Sequence, residues 1–119
     1  MADYVNFIEW HTHPFRSDRW YAIWQASLDR ARAYGASTSY LTRNTDDPLH
    51  FRQVTHWENK DDFERFWASD EISGLRQEAF NYFNKPVAYV WHQLVADTAP
   101  GGEQDAREGD EPVAAEASA

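Results

Sequence analysis

Residues 54–72 read VTHWENKDDFERFWASDEI, and the run changes character twice. Up to Trp57 it is β-branched and aromatic, the composition of a pleated strand. Asn59 then offers a side-chain oxygen to a first helical turn, Asp61 and Asp62 place negative charge at its positive end, and Phe63, Phe66 and Trp67 share one face. At Ser69-Asp70 the pattern breaks and restarts, and it predicts helix through Ile72, Leu75, Ala79 and Phe83 until Pro86 stops it. A last strand, VAYVWHQLV (87–95), follows.

Upstream, HFRQVTHWE (50–58) completes the strand that ends at Trp57. ASTSYLTR (36–43) is its hairpin partner across NTDDPL, whose Asn, Asp and Pro suit a turn. YVNFIEWHT (4–12) reads as the first strand. Ser17 or Asp18 caps a helix whose buried stripe is Trp20, Ile23, Trp24, Leu28 and Ala31, and Gly35 ends it. The order β-α-β-β-α-β is ferredoxin-like, an α+β fold with a four-stranded antiparallel sheet ordered 4-1-3-2 and both helices on one face. Strand one sets Tyr4, Ile8 and Trp10 on one parity and Val5, Phe7 and His11 on the other. A strand apolar on both faces is covered on both, which predicts a homodimer whose two sheets face each other as a dimeric α/β barrel.

The chain has 119 residues, enough for one core, which we place at residues 1–95. Sixteen per cent of it is aromatic, so much of the buried area is ring surface. The formal charge of −9 is carried mostly by an acidic tail, residues 96–119, whose lack of large apolar side chains predicts disorder. No Lys/Arg stripe is present to neutralise phosphates or dock on anionic lipid, so neither nucleic acid nor membrane is expected as a partner. Without cysteine there is no disulfide, thiolate metal site or cysteine nucleophile. The N-terminal MADYVNFIEW lacks the pattern of an export signal, and a soluble, cytoplasmic protein is expected.

Trp57-Glu58, Asp62, Phe63, Trp67 and Ser69, in that order, give residues 54–72 a resemblance to the antibiotic-biosynthesis monooxygenase family of dimeric α/β barrels, extending over roughly residues 4–95. The resemblance implies a homodimer with a cavity in each subunit between helices and sheet. Some members oxidise polycyclic phenols or anthrones without metal or flavin; others degrade haem. Aligned on Ser69-Asp70, the haem branch's cavity tryptophan falls at Phe66 and its ligating histidine at Arg76, and a guanidinium cannot ligate iron in that role. Asn6 corresponds to that branch's first-strand asparagine. Fold shared with an enzyme is only an analogy for chemistry, and the competing expectations are a non-catalytic module binding a small aromatic ligand and a haem- or metal-binding member of the same fold.

The histidines are the candidate bases. His11 and His13, in the stretch EWHTHPFRSDRW (9–20), sit two apart at the end of the first strand, and the expected sheet brings His50 close to them. Three imidazoles at a sheet end would suit a transition metal, but His13 precedes Pro14 and is expected in the loop, exposed, so no metal site is assigned. His11 has Glu9 one pleat away on the same face, a pair that could take a phenolic proton or simply fill the dimer barrel. His56 and His92 lie inside strands flanking strand one, where either could face the cavity. The expected catalytic set is therefore His56, His92 and His11. Asn6, Trp24, Trp57, Phe63, Phe66, Trp67 and Arg76 are the expected substrate contacts, with no cofactor required.

Overall fold

The structure is a computed structural model and describes residues 3–98. Along them run β1 (Tyr4–His11), α1 (Ser17–Trp24), α2 (Ala26–Ala33), β2 (Thr38–Arg43), β3 (His50–Trp57), α3 (Lys60–Ala68), α4 (Asp70–Glu78), a 3-10 turn at Phe80–Tyr82, and β4 (Ala88–Gln93). All strand pairs are antiparallel, in the order β2-β3-β1-β4, the ferredoxin-like topology expected from the sequence. The acidic tail expected from residue 96 lies, from residue 99 on, outside the described residues.

The second half follows its local signals closely. Asn59 caps α3 by accepting from the Asp62 N–H at 3.0 Å, and Ser69 both ends α3 and caps α4, accepting from Ile72 N–H at 3.2 Å. Two helical expectations need correction. The first helix is broken at Gln25 into α1 and α2, and its cap position is Arg16, without a side-chain capping bond. Ser17 is instead turned inward, its hydroxyl 2.8 Å from that of Thr12. The last helix stops at Glu78, because Phe83 is extended and forms a β-bridge with Thr12, while Asn84 donates to the His11 carbonyl at 2.8 Å. Bonding to the end of β1 replaces the helical bonds that the pattern alone would continue to Pro86.

Strand parity divides the sheet cleanly. On the helix side Asn6, Ile8 and Trp10 of β1 and Gln53, Thr55 and Trp57 of β3 are buried against Trp20, Trp24, Phe63, Phe66 and Ile72. Removing each such large side chain from water contributes roughly 1.5–3 kcal/mol. Two of these polar residues are held by rings: the Gln53 Oε1 atom accepts from the indoles of Trp10 at 3.0 Å and Trp24 at 2.8 Å, and Thr55 accepts from Trp57 at 2.8 Å. The other face carries Val5, Phe7, Glu9 and His11 beside His50, Arg52, Val54 and His56, with Tyr40 and Val90 left 45% and 52% exposed.

Candidate functional site

Where α4 gives way to the 3-10 turn and the chain swings into β4, a groove of about 390 Å³ opens. Trp67, from α3, and Phe80 and Phe83, from the turn, supply its aromatic surface; Ser73, Gln77 and Val87 complete the lining. Two cations reach it. The Arg76 guanidinium lies 4.3 Å from the Trp67 ring centroid and donates to the Trp67 carbonyl at 2.9 Å and to Ser73 Oγ at 3.1 Å. Burial lowers its pKa from the ordinary arginine value. The Lys85 ammonium lies 4.0 Å from the Phe80 centroid and 4.8 Å from that of Phe83, and donates to the carbonyls of both residues. Among the described residues neither cation is paired with a carboxylate, and the lining contains no acidic side chain.

Of the expected substrate contacts, the groove gathers two, Trp67 and Arg76. Trp24, Trp57, Phe63 and Phe66 are fully buried and serve the core. Asn6 is also fully buried, between Thr55 and Trp91 on the helix side, and neither end of its amide has a hydrogen-bond partner among the described residues. It is removed from the groove by a chain of rings, since Trp91 packs edge-on against Phe63, which stacks on Trp67.

The three candidate bases stand on the opposite face of the sheet. Val5 is paired with His56 on one side and His92 on the other, and His11 with His50, so all share the parity of Phe7 and none reaches the groove. His92 meets Phe7 edge-on at 5.0 Å. The expected pairing of His11 with Glu9 is replaced: Glu9 accepts from His50 Nε2 at 2.5 Å and from Arg52 Nε at 2.8 Å, while the His11 ring stacks on His50 at 4.7 Å. Asn44 Nδ2 lies 3.1 Å from His50 Nδ1, which leaves Nε2 as the nitrogen that donates to Glu9. Among the described residues no group of three or more histidine or acidic side chains is arranged to hold a metal ion.

His13 is not the free loop residue expected. It is half-buried, its backbone N–H donates to the Tyr82 carbonyl at 3.0 Å, its Nδ1 lies 3.0 Å from the Asn81 carbonyl, and its Nε2 lies 2.9 Å from Asn84 Oδ1. This histidine pins the turn that forms the groove wall. Phe80, Phe83 and Lys85 were missed as site residues because a helix continued through Phe83 would not build that wall. The signal present for them was the three-residue spacing of the phenylalanines before Lys85-Pro86.

No protein-family profile matches the chain, and no curated protein matches it. Solved structures do. An antibiotic biosynthesis monooxygenase superposes with a TM-score of 0.70 at 14% identity, covering 78% of this chain and 99% of its own. The protein PA3566 from Pseudomonas aeruginosa gives 0.71 at 13% identity over 81% and 97% of the two chains. Rv0793 from Mycobacterium tuberculosis gives 0.71 at 13% over 82% and 100%. At such identities the likeness establishes a shared fold and leaves activity to the site itself.

Proposed function

We propose that the groove binds a planar, electron-rich aromatic molecule, phenolic, quinol or anthrone-like, and that the protein oxidises it with dioxygen as a cofactor-independent monooxygenase. The observation that carries this reading is the joining of aromatic walls to two cations that, among the described residues, pair with no carboxylate, in a space of about 390 Å³. Pockets of that size take a small ring system, and rings on facing walls orient it. A cation within a few ångströms of a phenol lowers its pKa by roughly 1–3 units, so Arg76 and Lys85 favour the ionised, electron-rich substrate. That anion is itself the reductant. For an anthrone, the methylene becomes a carbonyl that keeps one atom of dioxygen, and the other atom leaves as water with the two methylene hydrogens. With the histidines on the other sheet face, the first proton passes to water at the groove mouth.

The open sheet face, with Val5, Phe7, Tyr40, Val54 and Val90 among its histidines, is the surface on which we place the homodimer. Val90→Glu tests this: sedimentation should show the dimer dissociating, and an unchanged oligomer would place the interface elsewhere.

Oxygen uptake and product mass with a panel of anthrones and hydroquinones test the chemistry. Uptake with an oxygenated product supports the oxygenase. Binding without uptake supports the second reading, a non-catalytic module for aromatic ligands, which is favoured by the lack of any imidazole or carboxylate in the groove lining. Alanine at His56, His92 and His11 in turn should leave turnover intact where the dimer survives; a selective loss at one of them would restore it as a base acting from the sheet face.

A further inference from the structure

Lys85 adds to the cationic field that favours an ionised substrate, but holding the phenolate oxygen does not require it. One cation suffices to hold a phenolate, and Arg76, fixed by hydrogen bonds to the Trp67 carbonyl and the Ser73 hydroxyl, already does so. Lys85 adds a second full charge across the aromatic surface, over Phe80 and Phe83. An ammonium has three N–H donors and no acceptor. Two are spent on the carbonyls of Phe80 and Phe83, which brace the turn, and the third is left for a group in the groove. No acidic side chain among the described residues competes for it.

We propose that the groove selects aromatic carboxylic acids, a planar ring system lying along Trp67, Phe80 and Phe83 with its carboxylate on the Lys85 ammonium and its reacting oxygen at Arg76. This rests on the groove being the substrate site and adds to it the class of substrate. Lys85 is then a specificity-determining residue.

The acidity of the chain argues against an acidic ligand only at a distance. The formal charge is −9, but charges farther apart than the Debye length of about 8–10 Å are largely screened at physiological salt. A direct contact between carboxylate and ammonium lies well within that length, and a charge-assisted hydrogen bond is roughly twice as strong as a neutral one. The local pair therefore wins over the distant field.

The test compares 2-anthracenecarboxylate with its neutral carboxamide, by quenching of tryptophan fluorescence in the intact chain. The carboxylate should bind up to roughly fivefold more tightly, the scale of a solvent-exposed ion pair. Added salt should erode that preference and leave the amide unchanged. Lys85→Gln should abolish the preference, with the amide's affinity reporting that the groove is intact, and Lys85→Arg should restore it. Equal affinities in the native protein, or a preference that survives in Lys85→Gln, would overturn the proposal. If Lys85→Gln fails to fold, the salt dependence in the native protein decides alone. Selective binding of the acid without oxygen uptake would sink the oxygenase and keep this inference, whereas turnover of neutral anthrones with no preference for acids would do the reverse. Binding of neither probe would overturn this inference and leave the oxygenase to the uptake panel.

Discussion

Arg76 is bound to Trp67 twice, by its guanidinium 4.3 Å from the ring centroid and by a hydrogen bond at 2.9 Å to the same residue's carbonyl oxygen. The carbonyl belongs to the last turn of α3, where it has no helical donor, so the arginine caps one helix from the next. The bond to Ser73 fixes the rest of the fork. Such a guanidinium is a preorganised donor, which a lysine's mobile point charge is not. Arg76→Lys should therefore keep binding close to native while lowering kcat roughly tenfold, about 1.4 kcal/mol of transition-state stabilisation. Steady-state oxygen uptake measures this. A lysine variant as fast as the native protein would mean that charge alone is required.

Asn6 is a polar residue in a place that suits leucine. Its amide is buried with no hydrogen-bond partner among the described residues, and each unsatisfied polar group costs about 1–3 kcal/mol. Asn6→Leu, which keeps the branched shape but is bulkier, should raise the unfolding free energy by up to about 1–3 kcal/mol in urea melts, less what overpacking takes back. Residues that lower stability are commonly kept for function, so the same change should lower turnover, as expected if a substrate oxygen reaches the amide when Phe63 and Trp67 give way. A variant that is less stable than native would show that the amide has a structural role.

The sheet was legible in the sequence for a physical reason: side chains alternate with a period of two, and a strand such as Asn6, Ile8, Trp10 must place one parity under the helices. The same periodicity could not say which parity. Both faces of β1 carry large residues, so the pattern left His11, His56 and His92 free to point either way, and only the pairing of Val5 with His56 and His92 resolves it. The groove was harder still. Its wall depends on where α4 ends, and that is set by Phe83 and Asn84 bonding to the end of β1, contacts about seventy residues apart in sequence. Local signals at Asn59 and Ser69 were read correctly because a cap is made within three residues of itself.

Gln53 is the polar centre of the core. One oxygen serves the indoles of Trp10 and Trp24, and its Nε2 donates to Ser27 at 3.2 Å. Gln53→Leu would leave two buried indole N–H groups without an acceptor. Unfolding free energy should fall by roughly 2–5 kcal/mol, the cost of two orphaned donors. Trp24→Phe, which removes one donor together with some ring surface, should leave Gln53 still bound to Trp10. The double variant should then lose less than the sum of the two, as neighbours sharing one partner do. Strict additivity in denaturant titrations would show that the hydrogen bonds contribute little and that packing alone accounts for the loss.

Tyr89 makes stability depend on alkaline pH. Burial is the main cause raising its hydroxyl pKa above the ordinary tyrosine value, and the charge of Glu64 and a hydrogen bond to that carboxylate at 3.3 Å add to it. The folded protein thus holds this proton to higher pH than the unfolded chain does. The stabilisation is fully present below the unfolded tyrosine pKa of about 10 and is lost as pH rises through the folded value. Urea midpoints should fall on going from about pH 9 to pH 11, and Tyr89→Phe, which has no proton to lose, should show a shallower fall over the same range. The difference between the two proteins isolates this one hydroxyl, because lysines and the other tyrosines titrate in both. Parallel slopes would mean that Tyr89 ionises alike in the folded and unfolded states, and that the Glu64 contact across α3 and β4 does not persist in solution.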